Sequence, residues 1–453
     1  MNIIIAGAGK VGFTLAGHLV TEGHNLTIVD TNQATLDKIS NQLDVMCVKG
    51  NCASRSALLE AGAHDVDMVI AATGSDEINL LCCHCARGLG AAYTVARVRS
   101  AEYAGDLENM KQELGITLLV NPEHETAVEI SRLLRFPGAA NIDTFARGRV
   151  EIVAFHVQED DFLAGKALIS LAPKIRDLAM LFCAVERNEE VVIPNGSFEL
   201  QQGDKVYLAG TPSGISHFFK LLGRQNHKVR SAFIVGGGRI SLYLINLLER
   251  LGISCKVVEK NEVRCRELAE HFPHSLIIHG DGTDPELLAE ERMESSDAFI
   301  ALTDRDEDNL IISLCAHQAG LHKVIAKSNR QNYAAIARSA GVESIVSPKI
   351  TTAHQILRLV RGIKNSKGNA MTALYRIAEG RAEAMEFQVS ASTRNLGTPL
   401  KDLQLKKGVL IAVVVRRGQV IIPNGFTALE ERDTVIIVAQ GSSILDLNDI
   451  FAD

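Results

Sequence analysis

The sequence predicts two tandem copies of a doubly wound parallel α/β sheet, each followed by a small α+β lobe. Three observations carry this. Apolar runs of strand length alternate with segments of helical periodicity, the pattern of a parallel sheet covered by helices on both faces. A glycine-rich turn, Gly7-Ala8-Gly9-Lys10-Val11-Gly12, joins the first run to the first helical segment. The landmarks then return in the same order roughly 230 residues later. Gly236-Gly237-Gly238-Arg239-Ile240-Ser241 repeats the glycine turn, and Glu259 repeats Asp30. The Thr73, Asp76-Glu77, Asn79 cluster returns as Thr303, Asp306-Glu307, Asn309, and Ile193-Pro194-Asn195-Gly196 returns as Ile422-Pro423-Asn424-Gly425. The repeat divides the chain into four lobes: 1–135, 136–224, 225–362 and 363–453.

Taken in order, Asn2–Ala6 is a short strand ending in the glycine turn. Val11, Leu15 and Leu19 recur every four residues, one face of a helix. Leu26–Val29 and Val45–Val48 read as the second and third strands, with a helix over Gln33–Leu43 between them. Ser54–Ala61 is a short helix stopped by Gly62, and Met68–Ala72 is a strand apolar on both faces. A helix begins near Asp76, and Tyr93–Val98 is a fifth strand. Phe136-Pro137-Gly138 breaks the chain. From about Arg149 the rhythm becomes short β runs: Val150–Val157, Met180–Val185, Val191–Ile193 and Lys205–Ala209, with turns at Asn188 and Pro194-Asn195-Gly196. A basic stretch from Gly223 to Arg230 leads into the second copy. Its strands read as Ala232–Val235, Lys256–Glu259, Ser275–Ile278, Ala298–Leu302 and Val324–Lys327, with a helix over Ile240–Leu251 and a second β lobe from about Ala384.

The 453 residues are 46% hydrophobic and 22% charged, enough for several globular cores. A net charge of −7 argues against a nucleic-acid binder, which would carry a basic stripe. No apolar run approaches the ~18 residues of a membrane span, so no direct membrane insertion is expected. The first residues enter a strand without the basic and apolar regions of a signal peptide. Nine cysteines without secretory context read as reduced, cytosolic thiols.

A glycine turn between strand and helix lets backbone N–H groups face a pyrophosphate at the positive end of the helix. Gly7 makes the turn, Gly9 lets the phosphate approach and Gly12 permits helix–strand packing; Ala8, Lys10 and Val11 complete the first cradle. Asp30, at the end of the second strand, is placed to accept ribose hydroxyls and repel a 2′-phosphate. These residues point to NAD or NADH in the first half. In the second half, Gly236, Gly238, Arg239, Ile240 and Glu259 repeat the pattern, with Ser241 in place of the third glycine. A scaffold that has lost its ligand is the competing reading, more so there than in the first half. Thr73, Gly74 and Thr303 sit where a nucleotide would cross the sheet. Arg97 and Arg99 alternate onto one face and suit a terminal phosphate, which admits ATP or ADP as well. Asp76-Glu77 and Asp306-Glu307 serve equally as helix caps or as ligand contacts. Cys82-Cys83-His84-Cys85 cannot converge on one ion from a helix and reads as core, so no metal is expected. Arg358, Arg361, Lys364 and Lys367 form a basic face, either solvated or open to a partner. No catalytic constellation stands out.

Met1–Gly12, Ile28-Val29-Asp30-Thr31-Asn32, the Thr73–Asn79 cluster and the two Ile-Pro-Asn-Gly units before Gly203-Asp204 and Arg432-Asp433 resemble the tandem RCK (KTN) family, regulatory subunits of Trk potassium uptake systems. The resemblance covers essentially the whole chain. It implies two modules, each a Rossmann-like nucleotide-binding lobe and a small C-terminal lobe. It also implies a cytoplasmic homo-oligomer, expected as a tetrameric gating ring, on the inner face of the membrane beneath a TrkH/TrkG-type potassium-translocating subunit. The family pattern Gly-Asp-Gly-Thr after the third strand stands at Gly280-Asp281-Gly282-Thr283, making Asp281 and Gly282 contact candidates. The first half has Gly50-Asn51-Cys52-Ala53, so Asn51 and Cys52 take those places. An NAD-dependent oxidoreductase with a degenerate second cofactor site is the rival, and a purely structural oligomer is another. The β lobes are too small to be substrate domains.

Overall fold

Ile3, Ile4 and Ile5 are sealed from solvent, which a strand achieves only with helices on both faces. The computed structural model describes residues 1–453 except 101–106, 137–138, 189, 224–228, 322, 343, 365–370, 378–380, 442–443, 445 and 453. Pro137-Gly138, most of the basic stretch after Gly223, and Lys367 thus lie outside the described residues.

Asn2–Ala6 is a central strand of a six-stranded sheet. Its companions are Asn25–Asp30, Met46–Lys49, Met68–Ala71, Tyr93–Arg97 and Leu118–Val120. Numbered along the chain they lie in the order 3-2-1-4-5-6, all parallel. The order reverses between the first and fourth strands, which leaves a crevice beyond their carboxyl ends. Ser231–Val235, Ser254–Glu259, Leu276–His279, Ala298–Ala301, Lys323–Lys327 and Ser344–Val346 build a second sheet in the same order. The expected fold class is present twice.

The small lobes are five-stranded antiparallel sheets of matching topology. The second begins at Met371, earlier than the Ala384 expected from sequence. The Gly-Asp and Arg-Asp landmarks are structural. Asp204 is buried and takes a bidentate pair from Arg187, Nε and Nη2 each 2.7 Å from an oxygen. Asp433 does the same with Arg416, at 3.0 and 2.8 Å. Such forks hold a strand entry with defined geometry.

The described residues form two compact units. One is Met1–Val128 with Val346–Leu357, so residues from far along the chain complete the first parallel sheet's unit. The other is Glu129–Ile345 with Arg358–Asp453. Within the latter the two small sheets share one core. Phe145, Val150, Ile152 and Tyr207 pack in the same cluster as Tyr375, Ala384, Val413 and Ile436. The rings of Phe145 and Tyr375 meet edge to face at 4.7 Å. Sharing a core lets each sheet remain small.

Candidate functional site

Gly7 adopts φ +102° and donates its N–H to Val29 O at 2.8 Å. A Cβ there would lie 2.9 Å from the Ala72 backbone, so the turn requires glycine. Gly12 would place a Cβ 1.9 Å from Gly7 O. Gly9 is different: a Cβ there meets nothing within 4 Å, and it caps the helix Lys10–Thr21 without a side-chain hydrogen bond. The helix therefore opens with uncapped N–H groups facing an unobstructed space, a cradle that fits a pyrophosphate. Lys10 is exposed at its first turn, while Ala8 and Val11 are buried beside it.

Asp30 braces this cradle. One carboxylate oxygen accepts from Ala8 N at 2.7 Å and the other from Asn32 N at 2.8 Å. Each oxygen keeps a lone pair for a ribose hydroxyl. At the next strand end, Asn51 accepts from Ala53 N at 3.0 Å in a side-chain turn. Cys52, the candidate beside it, is buried in a core cluster with Cys82 and Cys83. A hydrogen bond from Cys82 draws the Cys52 thiol below its usual range and pushes the Cys82 thiol well up. His84 is exposed on the other side of that helix. Among the described residues no group of three or more His, Cys, Asp or Glu is placed to hold an ion.

Across the crevice, Thr73 donates its N–H and hydroxyl to Asn79 Oδ1 at 2.8 and 2.7 Å. The Asn79 amide donates to Arg97 O at 2.8 Å. This buried amide thus ties the ends of the fourth and fifth strands together, a role the motif's spacing did not reveal. Asp76 caps the loop beyond the fifth strand, accepting from Arg99 N and Ser100 N at 2.8 Å. Arg99 donates to Gly74 O at 2.7 Å, so its guanidinium lies at the crevice edge; Arg97 is half-buried beside it. Gly74 itself faces open space.

The second lobe copies the backbone closely. Gly236 has φ +100° and Gly238 opens the helix at φ −69°, ψ −168°, against −70° and −169° at Gly9. Arg239 is exposed and Ile240 buried, as Lys10 and Val11 are. Ser241 is buried and its hydroxyl donates to Gly236 O, the counterpart of the carbonyl that Gly12 must clear. Glu259 accepts from Gly237 N at 2.6 Å and Asn261 N at 2.7 Å. Thr303 and Asn309 reproduce the staple, with Asn309 donating to Lys327 O at 3.0 Å.

The side chains differ. Arg264 donates Nε to Gly237 O at 2.8 Å and Nη1 to Glu267 at 2.7 Å, where the first lobe has Thr35. Lys260 pairs with Asp281 at 2.7 Å, which holds the Asp281 carboxyl down to about 2. Asp304 stands in the place of Gly74, 3.6 Å from Lys327 Nζ. Gly282 replaces Cys52 because Val235 replaces Ala6: a Cβ at Gly282 would lie 2.2 Å from Val235 Cγ1. Laying one half on the other at the repeat offset exposes every one of these exchanges.

Known proteins match both kinds of lobe. The TrkA-N domain family matches residues 3–122 and 232–348, and the TrkA-C domain family 152–223 and 384–452. The Trk system potassium uptake protein TrkA homolog 2 of Methanosarcina mazei is 31% identical over 459 residues, covering 100% of each chain. The TrkA homolog of Archaeoglobus fulgidus is 32% identical over 452 residues, again covering 100% of each. Among solved structures, the GsuK channel bound to NAD matches with a TM-score of 0.64 at 19% identity, over 97% of this chain and 77% of that one.

Proposed function

We propose a function on the premise that this chain belongs to the TrkA family, a regulatory family of potassium transport and not one of enzymes. The chain is the nucleotide-sensing subunit of a Trk-type potassium uptake system. It takes NAD or NADH, and ATP or ADP as alternatives, and controls potassium flux through a TrkH/TrkG-type membrane subunit. The observation that carries this is the uncapped helix start at Gly9, facing open space and answered by Asp30 across the loop. The N–H groups of that first turn would hold the pyrophosphate, Asp30 a ribose, and Thr73, Arg97 and Arg99 the part of the ligand that crosses the sheet. A bound nucleotide supplies negative charge and binding energy, which moves a gate only if two conformations bind it unequally.

The chain works as a homo-oligomer, proposed as a tetramer, at the cytoplasmic face of the membrane. No described helix is long and apolar enough to cross a bilayer, in keeping with attachment through a partner. The four lobes divide near residues 135, 224 and 362. The test is potassium or rubidium flux in liposomes holding the membrane subunit, with and without this protein and each nucleotide. Flux indifferent to both would sink the proposal. Arg97→Ala and Arg99→Ala are expected to blunt the response to ATP more than to NADH, because ATP ends in a terminal phosphate and NADH does not.

A further inference from the structure

Four of the nine thiols gather in the first lobe, and the nucleotide site uses none of them. Cys52, Cys82 and Cys83 are buried in one core cluster, with Cys85 packed against it. Cys82, Cys83 and Cys85 lie on the helix Asp76–Gly88, and Cys52 lies in the loop after the strand Met46–Lys49. Loop and helix touch: the Cys85 thiol donates to Ala53 O at 3.7 Å. Cys83 is committed elsewhere, donating to Val95 O at 3.3 Å. Cys82 donates to Cys52, so these two sulfurs already face each other. The same loop reaches the cradle. Gly50 N donates to Asp30 O at 3.0 Å, and the Asp30 charge is felt at the Cys52 thiol. The second lobe has no such pair, because the matching positions are Gly282, Ile312, Ser313 and Cys315.

We infer that Cys52 and Cys82 are a thiol pair that a hydroperoxide converts to a disulfide, and that this bond loosens the first cradle behind Asp30. The effect on the cradle rests on the nucleotide-sensing reading above. The Cys52 thiolate attacks one peroxide oxygen, giving a sulfenic acid and releasing water. Cys82 then attacks the Cys52 sulfur, forming the S–S bond and expelling a second water that carries off the Cys82 proton. Two thiols and one hydrogen peroxide thus yield one disulfide and two waters. Cys52 takes the first step because it is 4% exposed and Cys82 0%. The hydrogen bond from Cys82 also favours its thiolate, whereas burial pushes the Cys83 thiol up and keeps it inert. Asn51, beside it, is exposed, so a small oxidant reaches this loop. Bond formation draws the two sulfurs from hydrogen-bond contact to ~2 Å. Cys82 is held within a helix, so the loop moves, and Gly50 is drawn with it away from Asp30.

Treatment of the full chain with hydrogen peroxide, followed by mass spectrometry of its tryptic peptides, tests this. Peptide 50–55 should appear joined to peptide 56–87, lighter by two hydrogens than the two together, and dithiothreitol should release them. Cys82→Ala should abolish the link and leave Cys52 as a sulfenic acid that dimedone traps. Cys83→Ala should keep the link. Calorimetric titration should show oxidised wild type binding NADH at least about threefold more weakly. Reduction should restore the affinity, and peroxide should not change it in Cys82→Ala. No link in wild type, a link that survives Cys82→Ala, or an affinity that oxidation leaves unchanged would each overturn the inference. A disulfide in a chain that binds no NADH in either state would remove the effect on the cradle together with the nucleotide-sensing reading, and would leave the thiol pair standing.

Discussion

Asp30 does two things at once, and its replacement should be felt in two measurements. Its carboxylate accepts from Ala8 N and Asn32 N, so it shapes the cradle before any ligand arrives. Asp30→Ala should therefore weaken NADH binding by about 1–3 kcal/mol through the lost charged acceptor and the loosened loop. Unchanged titration curves would remove Asp30 from the site. A second residue pair is a matter of volume. Val235 fills in the second lobe the space that Cys52 fills in the first, and Gly282 is glycine for that reason alone. Gly282→Ala should cost about 1–3 kcal/mol of stability by overpacking. Adding Val235→Ala should recover part of it, so the double variant melts above Gly282→Ala. Two substitutions that simply add their costs would mean the contact is not what fixes this glycine.

At the scale of the element, the strand Asn141–Phe145 carries a carboxyl out of place. Asp143, partly buried, is pushed up to about 7 by burial and by Glu129, against the pull of Arg358 and Arg132. The folded state holds this proton more tightly than the unfolded chain. Between the ordinary value of 3.8 and about 7, rising pH ionises the unfolded chain first, so the stability contributed here falls. It levels off above that, and the slope is at most about 1.4 kcal/mol per pH unit. Asp143→Asn should flatten it. Urea unfolding of both proteins at pH 5 and 8 checks this, and an unchanged gap between them would refute it.

That strand lay beyond the sequence reading, which began the first small lobe at 136 but read its β runs only from about Arg149. Asn2–Ala6 and Met68–Ala71 were legible because each runs apolar on both faces, and the first two strands also because one runs into Gly7 and the other ends at Asp30. Leu118–Val120 and Ser344–Val346 were not, since three residues carry no period. The glycine cradle was legible because spacing alone dictates it. The bracing by Asn79 and the hydrogen bond from Arg264 to Gly237 O were not. A buried amide and a long flexible cation take their partners from neighbours the chain folds into place. Cys52 was a contact candidate by its place after the third strand, and its burial in a core cluster with Cys82 and Cys83 could not be read from that place.

For the whole molecule, the decisive fact is that neither half is self-sufficient. The small sheets bury one face in common, with Phe145 and Tyr207 from the first half set among Tyr375, Val413 and Ile436 from the second. The first parallel sheet's unit also takes in Val346–Leu357, where Ala353, Ile356 and Leu357 are buried. A chain cut in the stretch between the halves would expose both faces. Apolar surface of that extent is seldom left bare on a soluble monomer. The two halves share the strand order of their six-stranded and five-stranded sheets, and the first half adds a two-stranded pair, Lys166–Ala167 with Glu199–Leu200. The cheapest remedy for the first half is a second copy of itself, placed where the missing half belongs. Residues 1–223 expressed alone should therefore be dimeric or aggregated, never a folded monomer. Residues 229–453 supplied by co-expression should convert them to a one-to-one complex. Light scattering with near-ultraviolet dichroism distinguishes these outcomes. A monomeric first half with a native-like spectrum would mean that the shared core contributes little, and that the tandem repeat is two modules on a string.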